Sequence, residues 1–247
     1  MTSGFAVVLV EGMGSRSSLR LVVGLVVAVN VCGLGVRAQT VPVQGERYKI
    51  ETVDGADGRV VTITDVSQVP ITAFRAGYVC GDSHKVVQLA EDTVILGMGA
   101  PHEARNSLTF ALPPEMKECP GGVDVIAFAD GQHVGDAAAW KRLVVQRSAA
   151  DAEVSGLLSV AEGMSAKEWT MAGFLAQVEA RQKAVEGMKM GADERRGRSL
   201  ALEVAREGFG LDAKRGAGSW TETVSRLIKW MTALEGALGA EKVGMGR

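Results

Sequence analysis

The chain has 247 residues, of which 47% are hydrophobic and 23% charged, a composition typical of a globular protein with one large domain or two small ones. Its 27 basic and 29 acidic side chains give a formal charge of -2, and no stripe rich in Lys and Arg runs along it. We therefore predict no nucleic-acid partner, because binding to a phosphate backbone requires such a stripe.

The first 38 residues follow the three-part pattern of a secretory signal peptide. Arg16 and Arg20 precede an apolar run, Leu21 to Gly35, and the small residue Ala38 is suited to cleavage before Gln39. The run is shorter than the roughly twenty apolar residues that a membrane span needs. We predict an exported protein, periplasmic or extracellular, with no membrane span after cleavage. A retained anchor is the alternative.

Two cysteines remain after cleavage, Cys80 and Cys119, in a compartment where disulfides persist. Neither has a second cysteine at the spacing of metal ligands. We predict a disulfide between them, which would close a loop of about forty residues and contribute about 3 to 4 kcal/mol to stability. Two free thiols are the alternative.

Short runs rich in Val, Ile and Thr, separated by turn residues, fill the chain from Arg47 to Ala129. The alternation of Val61 and Ile63 with Thr62 and Thr64 is typical of a strand that covers one core. Seven strands are predicted, over residues 47–53, 59–66, 71–79, 85–90, 93–98, 106–112 and 123–129. Because no helical pattern separates them, they indicate an antiparallel sandwich.

The segment VTITDVSQVPITAFRAGY, Val61 to Tyr78, ends one strand in a polar turn and continues into the next. It resembles the second and third strands of the immunoglobulin-like and fibronectin-III-like sandwiches of bacterial secreted and envelope proteins. The resemblance covers about eighty residues and implies a sandwich over residues 39–135. It implies no particular activity, because such sandwiches share none. The tryptophans, at 140, 169, 220 and 230, fall outside the strands, which departs from the antibody pattern.

After Gly135 the apolar residues take a helical spacing. Asp136 is placed to cap the first helix, and Ser165 and Ser219 each begin a capping box that ends in Glu three residues later. We predict a helical hairpin or bundle over residues 136–240 and a disordered tail over 241–247. The predicted fold class is therefore α+β, with an N-terminal antiparallel Ig-like β-sandwich followed by the helical region.

The last predicted helix carries an apolar seam at alternating steps of four and three. Its members are Trp220, Val224, Leu227, Met231, Leu234 and Leu238. The seam is predicted either to pack in the core or to bind a partner protein, including a second copy of this chain. Trp230 projects away from the seam and is a candidate anchor for a partner. The candidate interaction residues are Trp220, Leu227, Trp230 and Met231.

The chain shows no motif for catalysis or cofactor binding. His84, His102 and His133, together with Cys80, Asp82 and Glu103, lack the paired spacing of metal ligands, so we predict loop histidines and no metal. No serine lies in a Gly-x-Ser-x-Gly turn. We predict no catalytic residue, no cofactor and a protein-binding or scaffolding role in the cell envelope. The alternative is a secreted hydrolase with its site where sandwich and helices meet.

Overall fold

The computed structural model describes residues 8–9, 43–44, 47–55, 58–81, 85–98, 107–164 and 169–238. Apart from Val8 and Leu9, the predicted signal peptide lies outside the described residues. So do His84, His102, Ser165 and the predicted tail over 241–247.

The chain divides into two compact units. The first, called the sheet unit here, is drawn from Met1–Glu91, Ala104–Ala129 and His133–Asp136. The second, called the helical unit, is drawn from Asp92–Glu103, Asp130–Gln132 and Ala137–Arg247. A short segment from within the predicted sandwich, residues 92–103, therefore belongs to the helical unit.

Among the described residues, the sheet unit has seven strands of three or more residues and two strands of two residues. The strands are β1 (Val8–Leu9), β2 (Val43–Gln44), β3 (Tyr48–Gly55), β4 (Gly58–Asp65), β5 (Ile71–Cys80), β6 (Lys85–Asp92), β7 (Ser107–Leu112), β8 (Gly121–Phe128) and β9 (His133–Gly135). The four-stranded sheet has the order β2-β3-β4-β7, and the five-stranded sheet has the order β1-β6-β5-β8-β9. The ladders β3–β4, β4–β7, β5–β8 and β8–β9 are all antiparallel.

The core of the sheet unit is built from the facing sides of the two sheets. Val61 and Ile63 of β4 are buried while Thr62 between them is partly exposed, as the alternation predicts. Phe74 of β5 stacks on Phe110 of β7 with their ring centroids 4.7 Å apart. A disulfide joins Cys80 to Cys119, the pair that the sequence indicates.

The strand predicted over residues 93–98 is wrong, because Thr93–Leu96 form a short helix, α1. The carboxylate of Asp92 accepts hydrogen bonds from the backbone N–H groups of Val94 and Ile95 and so caps the helix. Ile95 is buried in the core of the helical unit. A short apolar run cannot by itself distinguish a strand from a buried helical turn.

His133, predicted on a loop, lies in β9 instead. Gly131 has a φ of 78° and turns the chain into this strand, a conformation that glycine adopts without strain. β9 pairs with β8 through only three residue pairs, the last of which joins Gly135 to Val125. The edge strand is therefore much shorter than its neighbour.

Among its described residues, the helical unit contains α1 and four longer helices: α2 (Ala137–Gly163), α3 (Met171–Gly187), α4 (Ala192–Lys214) and α5 (Trp220–Leu238). α2 packs against both α4 and α5, and α3 packs against α4. A Cβ at Gly197 of α4 would lie 2.1 Å from the carbonyl oxygen of Gln146, so only glycine permits this approach of α4 to α2. None of the described helices combines the length and apolar character needed to cross a membrane.

The buried side of α5 is rotated from the predicted seam. Leu227, Leu234 and Leu238 are buried, which is the core alternative of the two that the sequence left open, but Trp230 is buried in place of Met231. The indole N–H of Trp230 donates to the carbonyl oxygen of Val94 at 3.1 Å. The prediction that Trp230 is an exposed anchor is therefore wrong, because its ring fills the core between α5 and α1.

The predicted helix caps have different outcomes. Ser219 and Glu222 form the capping box of α5: the Ser219 hydroxyl accepts from the Glu222 N–H at 3.2 Å, and the Glu222 carboxylate accepts from the Ser219 N–H at 2.8 Å. These bonds to Ser219 lower the pKa of Glu222. Asp136 directly precedes α2, and its N–H donates to the carbonyl oxygen of Asp124 at 2.7 Å.

Candidate functional site

The predicted interaction residues do not form a surface. Leu227 and Trp230 lie in the core of the helical unit, while Trp220 and Met231 are half-buried. The indole N–H of Trp220 donates to the carbonyl oxygen of Ala161 at 2.7 Å, which ties it to α2. Within the part of the chain that the structure describes, no three His, Cys, Asp or Glu side chains lie together as metal ligands would.

A cleft of about 300 Å³ opens between the two sheets of the sheet unit. Its apolar walls are Tyr48, Ile50, Val61, Val123 and Val134. These residues come from β3 and β4 on one side and from β8 and β9 on the other. The cleft therefore lies where the two sheets do not close, between the β3 edge of one sheet and the β8–β9 edge of the other.

The polar residues at one end of the cleft follow from the strand register. Arg59 lies two residues before Val61 and four before Ile63, both of which are buried, so it is on the same, core-facing side of β4. Its partner across the β3–β4 ladder is Asp54, and Thr52 pairs with Val61 next to it. The alternation in the sequence predicts this inward position of Arg59, although it does not identify Arg59 as a functional residue.

The opposite wall at the same end depends on a glycine. Gly121 of β8 pairs with Tyr78 of β5, and its φ is 152°. A Cβ at this position would lie 2.1 Å from the carbonyl oxygen of Gly77 and 2.9 Å from the Tyr78 ring. Only glycine fits here, and its missing side chain leaves the Tyr78 ring facing the cleft.

Tyr78 supplies a hydroxyl donor to the cleft. The residue is 3% exposed, and burial raises the pKa of Tyr78 to about 12, an effect that the charge of Arg59 opposes and that of Asp124 reinforces. The phenol therefore keeps its proton at neutral pH. Its hydroxyl has no hydrogen-bond partner among the described residues.

Arg59 supplies further donors at the same end. Its Nε donates to Oδ1 of Asp54 at 2.7 Å, and the side chain is 25% exposed. Its two terminal nitrogens have no partner in the described ranges. Arg59 and Tyr78 both line the cleft, and the charge of Arg59 acts on the pKa of Tyr78.

An open strand edge runs beside the cleft. Gly121, Gly122 and Val123 of β8 pair with β5 on one side, while the β9 ladder stops at Val125 on the other. Between these two stretches, the carbonyl oxygen of Asp124 accepts from the Asp136 N–H at 2.7 Å. Gly121 and Asp124 are exposed. Within the described residues, Gly121, Gly122 and Val123 therefore have a strand neighbour on one side only.

A second cavity, of about 470 Å³, lies between the end of α4 and the start of α5. Its arginine, Arg226, is hydrogen-bonded to Asp212 and lies 4.8 Å over the ring of Phe209. Arg226 and Asp212 therefore already pair with each other. The cleft in the sheet unit, which offers donors that have no partner, is the stronger candidate.

Replacing Tyr78 with Phe is expected to remove a loss of stability at alkaline pH. An unfolded tyrosine ionises near pH 10, whereas folded Tyr78 holds its proton to about pH 12. The folded state is therefore fully favoured below pH 10 and loses stability as the pH rises from about 10 toward 12. Urea unfolding at about pH 8 and about pH 11 measures this. If the unfolding free energy falls equally from about pH 8 to about pH 11 in the wild type and in Tyr78→Phe, the role of Tyr78 is contradicted.

Chemically, the cleft can hold a group with an apolar body and a hydrogen-bond acceptor at the end formed by Arg59 and Tyr78. The sequence pattern did not indicate this arrangement, because Arg59, Tyr78 and Gly121 meet only in the folded sheets. In comparisons with known proteins, no protein family, no curated protein and no solved structure matches the chain.

Proposed function

We propose that the protein is an exported, non-catalytic binding protein of the cell envelope, and that its sheet unit holds a segment of a partner protein. The observation that carries this proposal is a cleft lined by the Tyr78 hydroxyl and the Arg59 guanidinium, beside the strand edge formed by Gly121, Gly122 and Val123. Exposed strand edges next to side-chain pockets are a common means of binding extended polypeptides. The Cys80–Cys119 disulfide supports export, because such bonds persist in oxidising compartments.

We propose further that the sheet unit is an immunoglobulin-like sandwich. In that fold, strands A, B and E share one sheet and strands C, F and G share the other. The orders β3-β4-β7 and β5-β8-β9 are compatible with this arrangement, with β6 beside β5. On this assignment β9 takes the place of strand G. Its three residues leave part of the strand F edge open.

The chemistry of the cleft favours binding over hydrolysis. A general base works best with a pKa near the operating pH. Tyr78, with a pKa of about 12, is ionised in only about one molecule in 10⁵ at pH 7. Arg59 carries its proton throughout. These two groups donate hydrogen bonds, and neither removes a proton at neutral pH.

Filling the cleft tests the proposal. Val134→Trp places a large ring in the cleft from the edge strand β9, and retention of envelope proteins on the immobilised protein is expected to fall about tenfold. Val53→Trp is the matched control, because Val53 lies 41% exposed on β3 beside Val60, another exposed valine. Retained proteins are quantified by mass spectrometry, and circular dichroism establishes that both variants fold.

Equal retention of the same envelope proteins by both variants would contradict a binding role for the cleft. If only Val53→Trp lowers the retention of envelope proteins, the binding surface lies on the outer face of the four-stranded sheet.

A further inference from the structure

We propose that, once residues 1–38 have been removed, the edge of β6 pairs with β6 of a second copy of this chain around a two-fold axis at Gln88. This inference rests on the proposed export, because it concerns the form that remains after cleavage of the predicted signal peptide. It goes beyond the proposed cleft. Without β1, β6 and β9 are the opposite edges of their sheet, so a second copy on β6 leaves the cleft beside β9 accessible.

The edge of β6 is covered by the segment that cleavage removes. In the five-stranded sheet β6 lies between β5 and β1. β1 is antiparallel to β6, with Val8 opposite Leu89 and Leu9 opposite Gln88. Both residues of β1 precede the predicted cleavage site after Ala38. Cleavage therefore leaves the eight residues of β6 without a strand neighbour on that side among the described residues.

The uncovered edge lacks the features that keep edge strands apart. A strand edge presents a row of backbone N–H and C=O groups to other strands, and proteins protect such edges with charged residues or proline. Residues 86–90, the centre of β6, include neither. The charged residues of the strand are at its ends, Lys85, Glu91 and Asp92. The edge is therefore suited to accept another strand.

The sequence of β6, KVVQLAED, is complementary to itself around Gln88. In an antiparallel pair with its two-fold axis at this residue, Lys85 is opposite Glu91 and Val87 is opposite Leu89. Opposite charges and apolar residues placed across from each other both stabilise a strand pair. Val87 and Leu89 are buried in the core of the sheet unit, so this pairing continues the apolar inner side of the sheet.

Neighbouring registers lack this match. Moving the axis to Val87 places Lys85 opposite Leu89, and moving it to Leu89 places Val87 opposite Glu91. Each of these registers sets a charged residue across from an apolar one. The axis at Gln88 is therefore the favoured register.

The N-terminal segment blocks this pairing in the full chain. β1 lies opposite Gln88 and Leu89, at the centre of the proposed strand pair, and it has the antiparallel direction that a second β6 would have. The segment and a second copy therefore compete for the same edge. The exported form can pair, whereas the precursor is held apart.

Cross-linking of the exported form tests the pairing. In the chain that begins at Gln39, Cys80 and Cys119 are joined, so Gln88→Cys adds the only free thiol. Residues directly opposite in an antiparallel pair have their Cβ atoms about 5 Å apart, close enough for a disulfide after small adjustments. We expect mild oxidation to convert most of this variant to a covalent dimer. Val53→Cys, exposed on the other sheet, is the matched control and is expected to stay largely monomeric.

Sedimentation measures the same association without a new thiol. We expect a reversible dimer of the exported form, weakened about tenfold by Lys85→Glu, because two attractive pairs become two repulsive ones. Lys183→Glu makes the same charge change on the exposed side of α3 and is expected to leave the dimer unchanged. Circular dichroism establishes that each variant folds.

The full chain provides the comparison for residues 1–38. With Cys32→Ser to remove its other free thiol, the full chain carrying Gln88→Cys is expected to cross-link much less than the exported form. Equal cross-linking of the two forms would overturn the blocking role of the N-terminal segment.

A monomeric exported form in sedimentation would overturn the inference, as would a dimer that Lys85→Glu does not weaken. If Gln88→Cys cross-links to another protein in envelope extracts but not to itself, the edge belongs to a different partner and self-pairing is overturned. None of these results decides the binding role of the cleft, which is judged by the retention of envelope proteins on Val134→Trp.

Discussion

Arg147→Met is expected to destabilise the helical unit by about 3 to 5 kcal/mol, because it leaves a buried carboxylate without its cation. Arg147 is fully buried, and its Nε donates to Oδ2 of Asp92 at 2.7 Å. Its Nη1 donates to the carbonyl oxygen of Ala237 at 2.9 Å, near the end of α5. One guanidinium therefore connects α2 to α5 and to the cap of α1.

Urea unfolding followed by tryptophan fluorescence measures this loss, because Trp230 is buried against α1. Arg142→Met is the matched control, since Arg142 lies exposed on the same helix. The double variant Arg147→Met with Asp92→Asn removes the uncompensated charge and keeps a cap acceptor, so it is expected to recover part of the loss. A single Arg147→Met variant as stable as the control would contradict this account.

Replacing both Cys80 and Cys119 with Ser is expected to lower the unfolding free energy of the sheet unit by about 3 to 4 kcal/mol. The two cysteines are 39 positions apart, so the bond closes a long loop in the unfolded chain. Cys80 ends β5, and Cys119 lies two residues before Gly121 in β8. The bond therefore holds the ends of the two strands that carry Tyr78 and Gly121.

Urea unfolding of the purified protein with and without reductant measures this contribution. Reductant is expected to lower the stability of the wild type and to leave the double serine variant unchanged. The same result is expected with Cys32 replaced by Ser, which controls for the third cysteine of the chain. Free thiols at both Cys80 and Cys119 in the purified protein would contradict the disulfide.

Features encoded within a few residues could be predicted from the sequence. The alternation in β4 places Val61 and Ile63 in the core, and the spacing of Ser219 and Glu222 produces the capping box of α5. Both depend on local geometry, the period of two in a strand and the three-residue reach of a cap. The cysteine pair is similar, because only two cysteines follow the predicted signal peptide.

Features that depend on distant partners could not be predicted. α1 is helical because Asp92 caps it and because Arg147, far along the chain, neutralises that carboxylate in the core. α5 buries Trp230 because Val94 of α1 accepts its N–H. Both sides of α5 carry apolar residues at the correct spacing, so the sequence pattern alone could not choose between Trp230 and Met231.

The candidate site follows the same division. Local pattern places Arg59 on the inward side of β4 and marks Gly121 and Gly122 as a break after Pro120. Only tertiary structure decides that β9 ends after three residue pairs and that Gly121 lies against Tyr78. The physical reason is range: strand alternation and helix capping act over a few residues, whereas an open edge and a shared cleft arise from strands that meet only when both sheets have formed.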